Sequence, residues 1–154
     1  MIYIAHRGNI NGPNHIDENK PEYLIDAIRK GYHVETDLWI IDNMLYLGHD
    51  APQYEININF LLDIKDRLFC HCKNIDALYY LIKNHNDIEC FFHDGDQCVL
   101  TSKKKIWNYP GTKQTSLTIC VMPEMAKQLI DTNCYGVCSD FVNDIKHISF
   151  MCMK

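Results

Sequence analysis

Basic clusters, long apolar runs, an export leader and internal repeats are all missing from this chain, and each absence removes a class of protein. Beyond Lys103-Lys104-Lys105 there is no basic stretch, and 15 Lys and Arg against 20 Asp and Glu give a formal net charge of -5 with histidine neutral. The electrostatic footprint of a nucleic-acid binder is therefore lacking, and no nucleic acid is expected as a main partner. No apolar run approaches the ~18 residues that a membrane helix needs, so no transmembrane segment is expected. Met1 leads through Ile2-Tyr3-Ile4-Ala5 to His6-Arg7 without the basic leader or apolar stretch of a signal peptide. A soluble, cytoplasmic protein is the expectation. The eight cysteines then read as reduced thiols rather than a disulfide framework. Cys70-His71-Cys72 and Cys134-x-x-x-Cys138 lie in apolar, strand-like segments and lack the paired spacings of structural zinc sites. Most of these cysteines are read as small buried hydrophobes.

What remains is a chain of 154 residues, 47% apolar, enough to bury a core in one domain over 1–154. Residues 2–6 read as a buried strand, followed by a loop rich in Asn, Gly and Pro from Asn9 to Lys20. A helix begins near Pro21, with Asn19 a capping candidate, and Leu24, Ala27 and Ile28 recur at helical spacing before Gly31 stops it. A strand at 33–38 completes a βαβ unit. Trp39-Ile40-Ile41, Asp42-Asn43 and Met44-Leu45-Tyr46-Leu47 form a hairpin pattern that would return His49 close to Glu35 and Asp37.

Helices are expected near 58–65, at 75–84 and at 123–132, the last opening with Pro123-Glu124. Asp94-Gly95-Asp96 is a tight turn, so Val99-Leu100-Thr101 must run antiparallel to 88–93. Seven parallel strands are expected: 2–6, 33–38, 67–73, 88–93, 106–109, 117–122 and 135–139. Their number approaches the eight of a (β/α) barrel, which typically needs ~250 residues. The expected fold is thus α/β: a reduced TIM-type (β/α) barrel with several crossover helices missing and a β-hairpin after the second strand. A poorly covered side would expose apolar surface, which a second copy of the chain could cover in a homodimer.

Glu35 and Asp37, two apart in a strand, point to one face and can converge on one cation. The bland alternative is a surface pair on an edge strand. Facing inward, two carboxylates repel and are costly to bury without a cation or a basic partner. Arg7 offers a bidentate phosphate contact beside His6. With His49 at the end of the returning hairpin, one neutral imidazole can take a proton while a protonated one gives a proton. Two imidazoles flanking two carboxylates are the parts of a metal-assisted phosphodiester-cleaving site.

Ile4-Ala5-His6-Arg7-Gly8, Glu18-Asn19, the helix ending at Gly31, Val34-Glu35-Thr36-Asp37-Leu38 and Gly48-His49-Asp50 together resemble the glycerophosphodiester phosphodiesterase family. That family belongs to the phosphatidylinositol-phospholipase-C-like barrel superfamily, which also includes the sphingomyelinase-D-type toxins. The matching block covers about the first third of the chain, and Gly136-Val137-Cys138-Ser139-Asp140 is similar to the family's last strand. The resemblance implies a metal-dependent hydrolase that splits small glycerophosphodiesters into an alcohol and sn-glycerol 3-phosphate. His6 and His49 would be the catalytic pair, Glu35 and Asp37 metal ligands, and Arg7 a phosphate contact. The neighbouring glycerol hydroxyl would attack phosphorus to give a cyclic phosphate, which water then opens.

The family's third strand carries Glu-x-Lys, where this chain has His71-Cys72-Lys73. Lys73 keeps the phosphate-contacting position. His71 shares its face and can ligate metal as a neutral imidazole, or stand by as a non-ligand. An imidazole in place of a carboxylate removes one negative charge and softens the site. The expected cofactor is one divalent cation, Mg²⁺ first, ahead of Mn²⁺, Zn²⁺ or Ca²⁺. Glu18, His93, Trp107 and Tyr109 are candidate pocket residues, the last three because they end parallel strands. His15, His33, His85 and His147 are read as surface or packing residues. Two other readings stand beside this one: a phospholipase-D-like enzyme that stops at the cyclic phosphate, and a non-catalytic binding module with a degenerate metal site.

Overall fold

The structure is a computed structural model that describes residues 1–152. Its strands are β1 (Ile2–Ala5), β2 (His33–Ile41), β3 (Met44–Leu47), β4 (Tyr54–Ile56) and β5 (Leu68–Cys72), followed by β6 (Cys90–Phe92), β7 (Cys98–Leu100), β8 (Ile106–Asn108), β9 (Thr118–Val121) and β10 (Gly136–Ser139). The helices are α1 (Pro21–Arg29), α2 (Ile58–Ile64), α3 (Ile75–Asn84) and α4 (Val142–Cys152).

Seven strands lie side by side and parallel in the order β6, β5, β2, β1, β10, β9, β8. The long β2 serves two partners on one side: its start pairs with β1 through His33 and Val34, and its end pairs with the returning β3 from Leu38 to Ile41. Antiparallel β4 extends β3, and antiparallel β7 borders β8. The result is a mixed sheet of 10 strands curled into a half-barrel, with four short helices among the described residues. This corrects the expected reduced TIM-type (β/α) barrel. The short segments 93–97 and 101–105 around β7 leave no length for crossover helices, so the alternation of strand and helix ends at β6.

Local chemistry explains where the helices form and where one fails. α1 starts on Pro21, whose fixed φ suits the first turn, buries Leu24 and Ala27, and stops before Gly31 at φ 90°. Asn19 does not cap it, because its side chain is spent elsewhere. Asn74 does cap α3, accepting from the Ala77 amide at 3.0 Å. The expected helix over 123–132 is reduced to one 3-10 turn, Pro123–Ala126, bracketed by left-handed Met122 and Lys127. Side-chain contacts with the 111–114 loop compete with a longer helix. Gln114 donates to the Leu129 carbonyl and accepts from the Asp131 amide, while Gln128 accepts from Gly111. Neither β4 nor α4 was expected from the sequence.

The sheet has two apolar faces. On its convex side Val34, Leu38, Cys70, Cys72 and Cys90 pack with Leu24, Leu61 and Leu81 of the helices. On the concave side Ile4, Phe69, Phe91, Trp107, Ile119, Val121 and Cys138 fill the interior. The residue two places further along each inward-facing strand then stands at its C-terminal mouth. Those residues are His6 after Ile4, His71 after Phe69, His93 after Phe91, Tyr109 after Trp107 and Asp140 after Cys138. A period of two thus lifts polar chemistry out of an apolar floor.

Candidate active site

β2 brings Glu35 and Asp37 to the concave face with 2% and 1% exposure, so the surface-pair alternative is ruled out. Each carboxylate is tied down by one oxygen. Glu35 Oε2 accepts the Arg7 backbone N–H at 3.2 Å, and Asp37 Oδ2 accepts from Asn19 Nδ2 at 3.0 Å. Their other oxygens turn towards His71, whose Nδ1 is 3.0 Å from Asp37 Oδ1 and 3.9 Å from Glu35 Oε1. The 3.0 Å approach lies off the line of a hydrogen bond, so Asp37 Oδ1 is buried with no hydrogen-bond partner. One donor atom from each of the three residues falls within 4.8 Å of the others. Two ligands at right angles on bonds of about 2.1 Å stand about 3 Å apart, the separation of Asp37 and His71, and Glu35 at 3.9 Å from His71 completes a donor set that could hold a divalent cation.

Cations on the chain surround this pair. Arg7 Nε is 3.2 Å from Asp37 Oδ2, Arg7 Nη1 is 3.2 Å from Glu18 Oε2, and Lys73 Nζ is 3.6 Å from Asp37 Oδ1. Arg7 takes the left-handed conformation at φ 51°, which aims its amide at Glu35. Such backbone strain in a non-glycine residue persists only where its surroundings hold it. Burial pushes Asp37 up, but His71, Arg7 and Lys73 outweigh it and hold the carboxyl well below its ordinary range. Burial and the Asp37 charge raise Glu35, against His6, His71 and Arg7.

The two candidate catalytic histidines differ in environment. His6 Nδ1 is 2.8 Å from Asp140 Oδ1 and its Nε2 is 3.9 Å from Glu35 Oε2. Burial opposes the charged form of His6, yet the Asp140 hydrogen bond and the Glu35 charge together raise its pKa. His49, half-exposed at the end of the returning β3, lines a pocket of about 340 Å³ with Arg7, His15, Glu18, Asn19, Asp50 and Gln53. Its Nδ1 is 2.6 Å from Asp50 Oδ1. Burial, helped by the charges of Arg7 and Lys73, lowers its pKa despite Asp37 and Asp50.

Glu18 stands beside Arg7 and lines the same pocket. His93 and Tyr109 stand together at the strand mouths, ring centroids 4.8 Å apart, and His93 lies edge-on to His71 at 6.0 Å. Burial and the Glu35 charge push the Tyr109 phenol up to about 12, so it remains a neutral hydroxyl. Trp107 belongs to the floor rather than the wall: it is 2% exposed and packs on Phe91 at 4.5 Å.

Three residues outside the expected site shape it. Asp140, quoted above only within the last strand, orients His6, and its inward phase two places after Cys138 was the available signal. Asn9 ties the loops together, donating to Glu18 at 2.9 Å and Asp140 at 2.8 Å. Asn19 accepts from the Thr36 hydroxyl and the Asp37 amide while donating to the Asp37 carboxylate. His15, read as a surface residue, is exposed but reaches Glu18 at 3.3 Å on the pocket rim. The thiols of Cys70 and Cys72 belong to the convex core, away from the concave site. The seven cysteines outside the C-terminal helix are free. No helix among the described residues is long and apolar enough to cross a membrane.

Comparison with protein-family models, with curated proteins and with solved structures gives no match.

Proposed function

We propose that the chain is a metal-dependent phosphodiesterase acting on glycerophosphodiesters or a related small phosphodiester with a neighbouring hydroxyl. The reading is carried by the convergence of Glu35 Oε1, Asp37 Oδ1 and His71 Nδ1 beside two histidines whose pKa values are shifted in opposite directions. The orphaned, buried Asp37 Oδ1 and the donor set fit one divalent cation held by Glu35, Asp37 and His71. When bound, such a cation draws phosphate oxygens and the attacking hydroxyl together and offsets transition-state charge.

The chain's own groups then divide the work. His49, held neutral by its lowered pKa, takes the proton of the neighbouring hydroxyl as that oxygen attacks phosphorus. His6, kept protonated by Asp140 and Glu35, gives a proton to the departing alcohol oxygen. Arg7 and Lys73, anchored on Asp37 and Glu18, present their remaining N–H groups to phosphate oxygens. Cyclisation leaves His6 neutral and His49 protonated, the states needed for the reverse proton traffic when water opens the ring. The free thiols favour a reducing compartment, the cytoplasm, as the place of action.

The test is turnover of a panel of glycerophosphodiesters by the intact protein with Mg²⁺ or Mn²⁺. His6→Ala and His49→Ala are each expected to lower it by about 10²-fold or more. Unchanged turnover in either variant would remove that histidine from the reaction.

A further inference from the structure

Resting on that reading of the cation site, we propose that His71 sets the metal: the centre takes a nitrogen-accepting divalent ion, Mn²⁺ or Zn²⁺, in preference to Mg²⁺ or Ca²⁺. Two features of the pocket lead there. The first is charge. Asp37 already carries both nearby cations, Arg7 at 3.2 Å from its Oδ2 and Lys73 at 3.6 Å from its Oδ1. Affinity for hard cations depends on the count of uncompensated oxygen charge, and Asp37 has little of it left over.

The second feature is the third donor. His71 is nearly buried, and its ring lies flat against Phe91, centroids 5.0 Å apart and 5° from coplanar. Phe91, itself 2% exposed, fixes the plane in which Nδ1 faces Asp37 Oδ1 and Glu35 Oε1. An imidazole held in place contributes little to Mg²⁺ or Ca²⁺, which prefer oxygen throughout, and more to borderline ions that accept nitrogen. The order of affinities for such ions rises from Mn²⁺ towards Zn²⁺ at any site, so a bare preference for Zn²⁺ over Mg²⁺ says little. The diagnostic quantity is how far that preference depends on His71.

Two measurements on the full chain decide it, neither of which reads activity. Titration calorimetry with Mn²⁺ and Mg²⁺ on the wild type and on His71→Glu is expected to show the Mn²⁺-to-Mg²⁺ affinity ratio falling about tenfold or more in the variant, as Mg²⁺ binding improves. Pulsed electron paramagnetic resonance of the Mn²⁺-loaded wild type is expected to show nitrogen coupling. That coupling should vanish in His71→Gln, which keeps a neutral polar side chain, and persist in His93→Ala and His6→Ala, the other imidazoles within reach. Nitrogen coupling absent from the wild type, or retained in His71→Gln, would overturn the assignment, as would an unchanged affinity ratio in His71→Glu. Failure of the wild type to bind any divalent ion would instead remove the cation site itself.

Discussion

Asn19 carries more of the site than its sequence suggests, since one amide accepts from Thr36 and from the Asp37 backbone while donating to the Asp37 carboxylate. Asn19→Asp places a second charge against Asp37 and removes that donor. Divalent-ion affinity, read by calorimetry, is expected to fall about 10 to 100-fold, as for other groups that orient metal ligands. Asp140 plays the matching part for His6. The proposed reaction requires His49 neutral, above its lowered pKa, and His6 protonated, below its raised pKa. The pH–rate profile should therefore be a bell, with its acid limb below the ordinary histidine value of about 6.5 and its alkaline limb above it. Asp140→Asn withdraws the hydrogen bond and charge that raise His6, and the alkaline limb alone should move to lower pH. At this scale the grouping of residues was legible in the sequence: the period of two put Glu35, Asp37 and His71 on one face. Asn19 looked like a helix cap because its role depends on a long-range contact with β2 that no local pattern encodes.

The hairpin of β2 and β3 delivers His49, and its far end turns on Gly48. That residue sits at φ 147°, and a Cβ there would stand 2.2 Å from the Ala51 carbonyl oxygen. Gly48→Ala must therefore push the 48–51 turn aside, at about 1–3 kcal/mol of strain. The variant is expected to lose turnover about tenfold or more, and to lose less in divalent-ion affinity, because the Gly48 amide touches only the Asp37 carbonyl while the carboxylates are held by Arg7 and Asn19. Equal turnover would show that the placement of His49 does not matter. The hairpin and the parallel strands were legible because their alternation and turn residues are local. β4, three residues long, is too short to show alternation. The segment 123–132 opens like a helix, yet Gln114 claims its Leu129 and Asp131 backbone groups from a distance, and Gln128 is drawn to the Gly111 amide. Tertiary contacts overrode a favourable local start.

Across the whole molecule, the proposed function would pull against stability at the mouth of the half-barrel. Burial and the Asp37 charge both oppose the ionised form of Glu35, so Glu35→Gln is expected to melt a few degrees higher than the wild type in chelator, where about 1 kcal/mol shifts the midpoint by 2–4 °C. The wild type alone should then gain stability on adding Mn²⁺, since an ion that binds only the native state stabilises it in proportion to the logarithm of its concentration. Strand count alone suggested a (β/α) barrel. The chain is too short for the missing helices, and β3, β4 and β7 turn the sheet mixed. That outcome depends on connection lengths across the chain rather than on the pattern within any one strand. The central claim is that this half-barrel holds a divalent ion and a histidine pair that together split a phosphodiester. Phosphorus NMR of a glycerophosphodiester incubated with the intact protein tests it most directly. The account predicts conversion to glycerol 3-phosphate, through a transient cyclic phosphate, with Mn²⁺ present and none with chelator. Conversion that persists undiminished in chelator, or no conversion of any glycerophosphodiester with the ion bound, would contradict it.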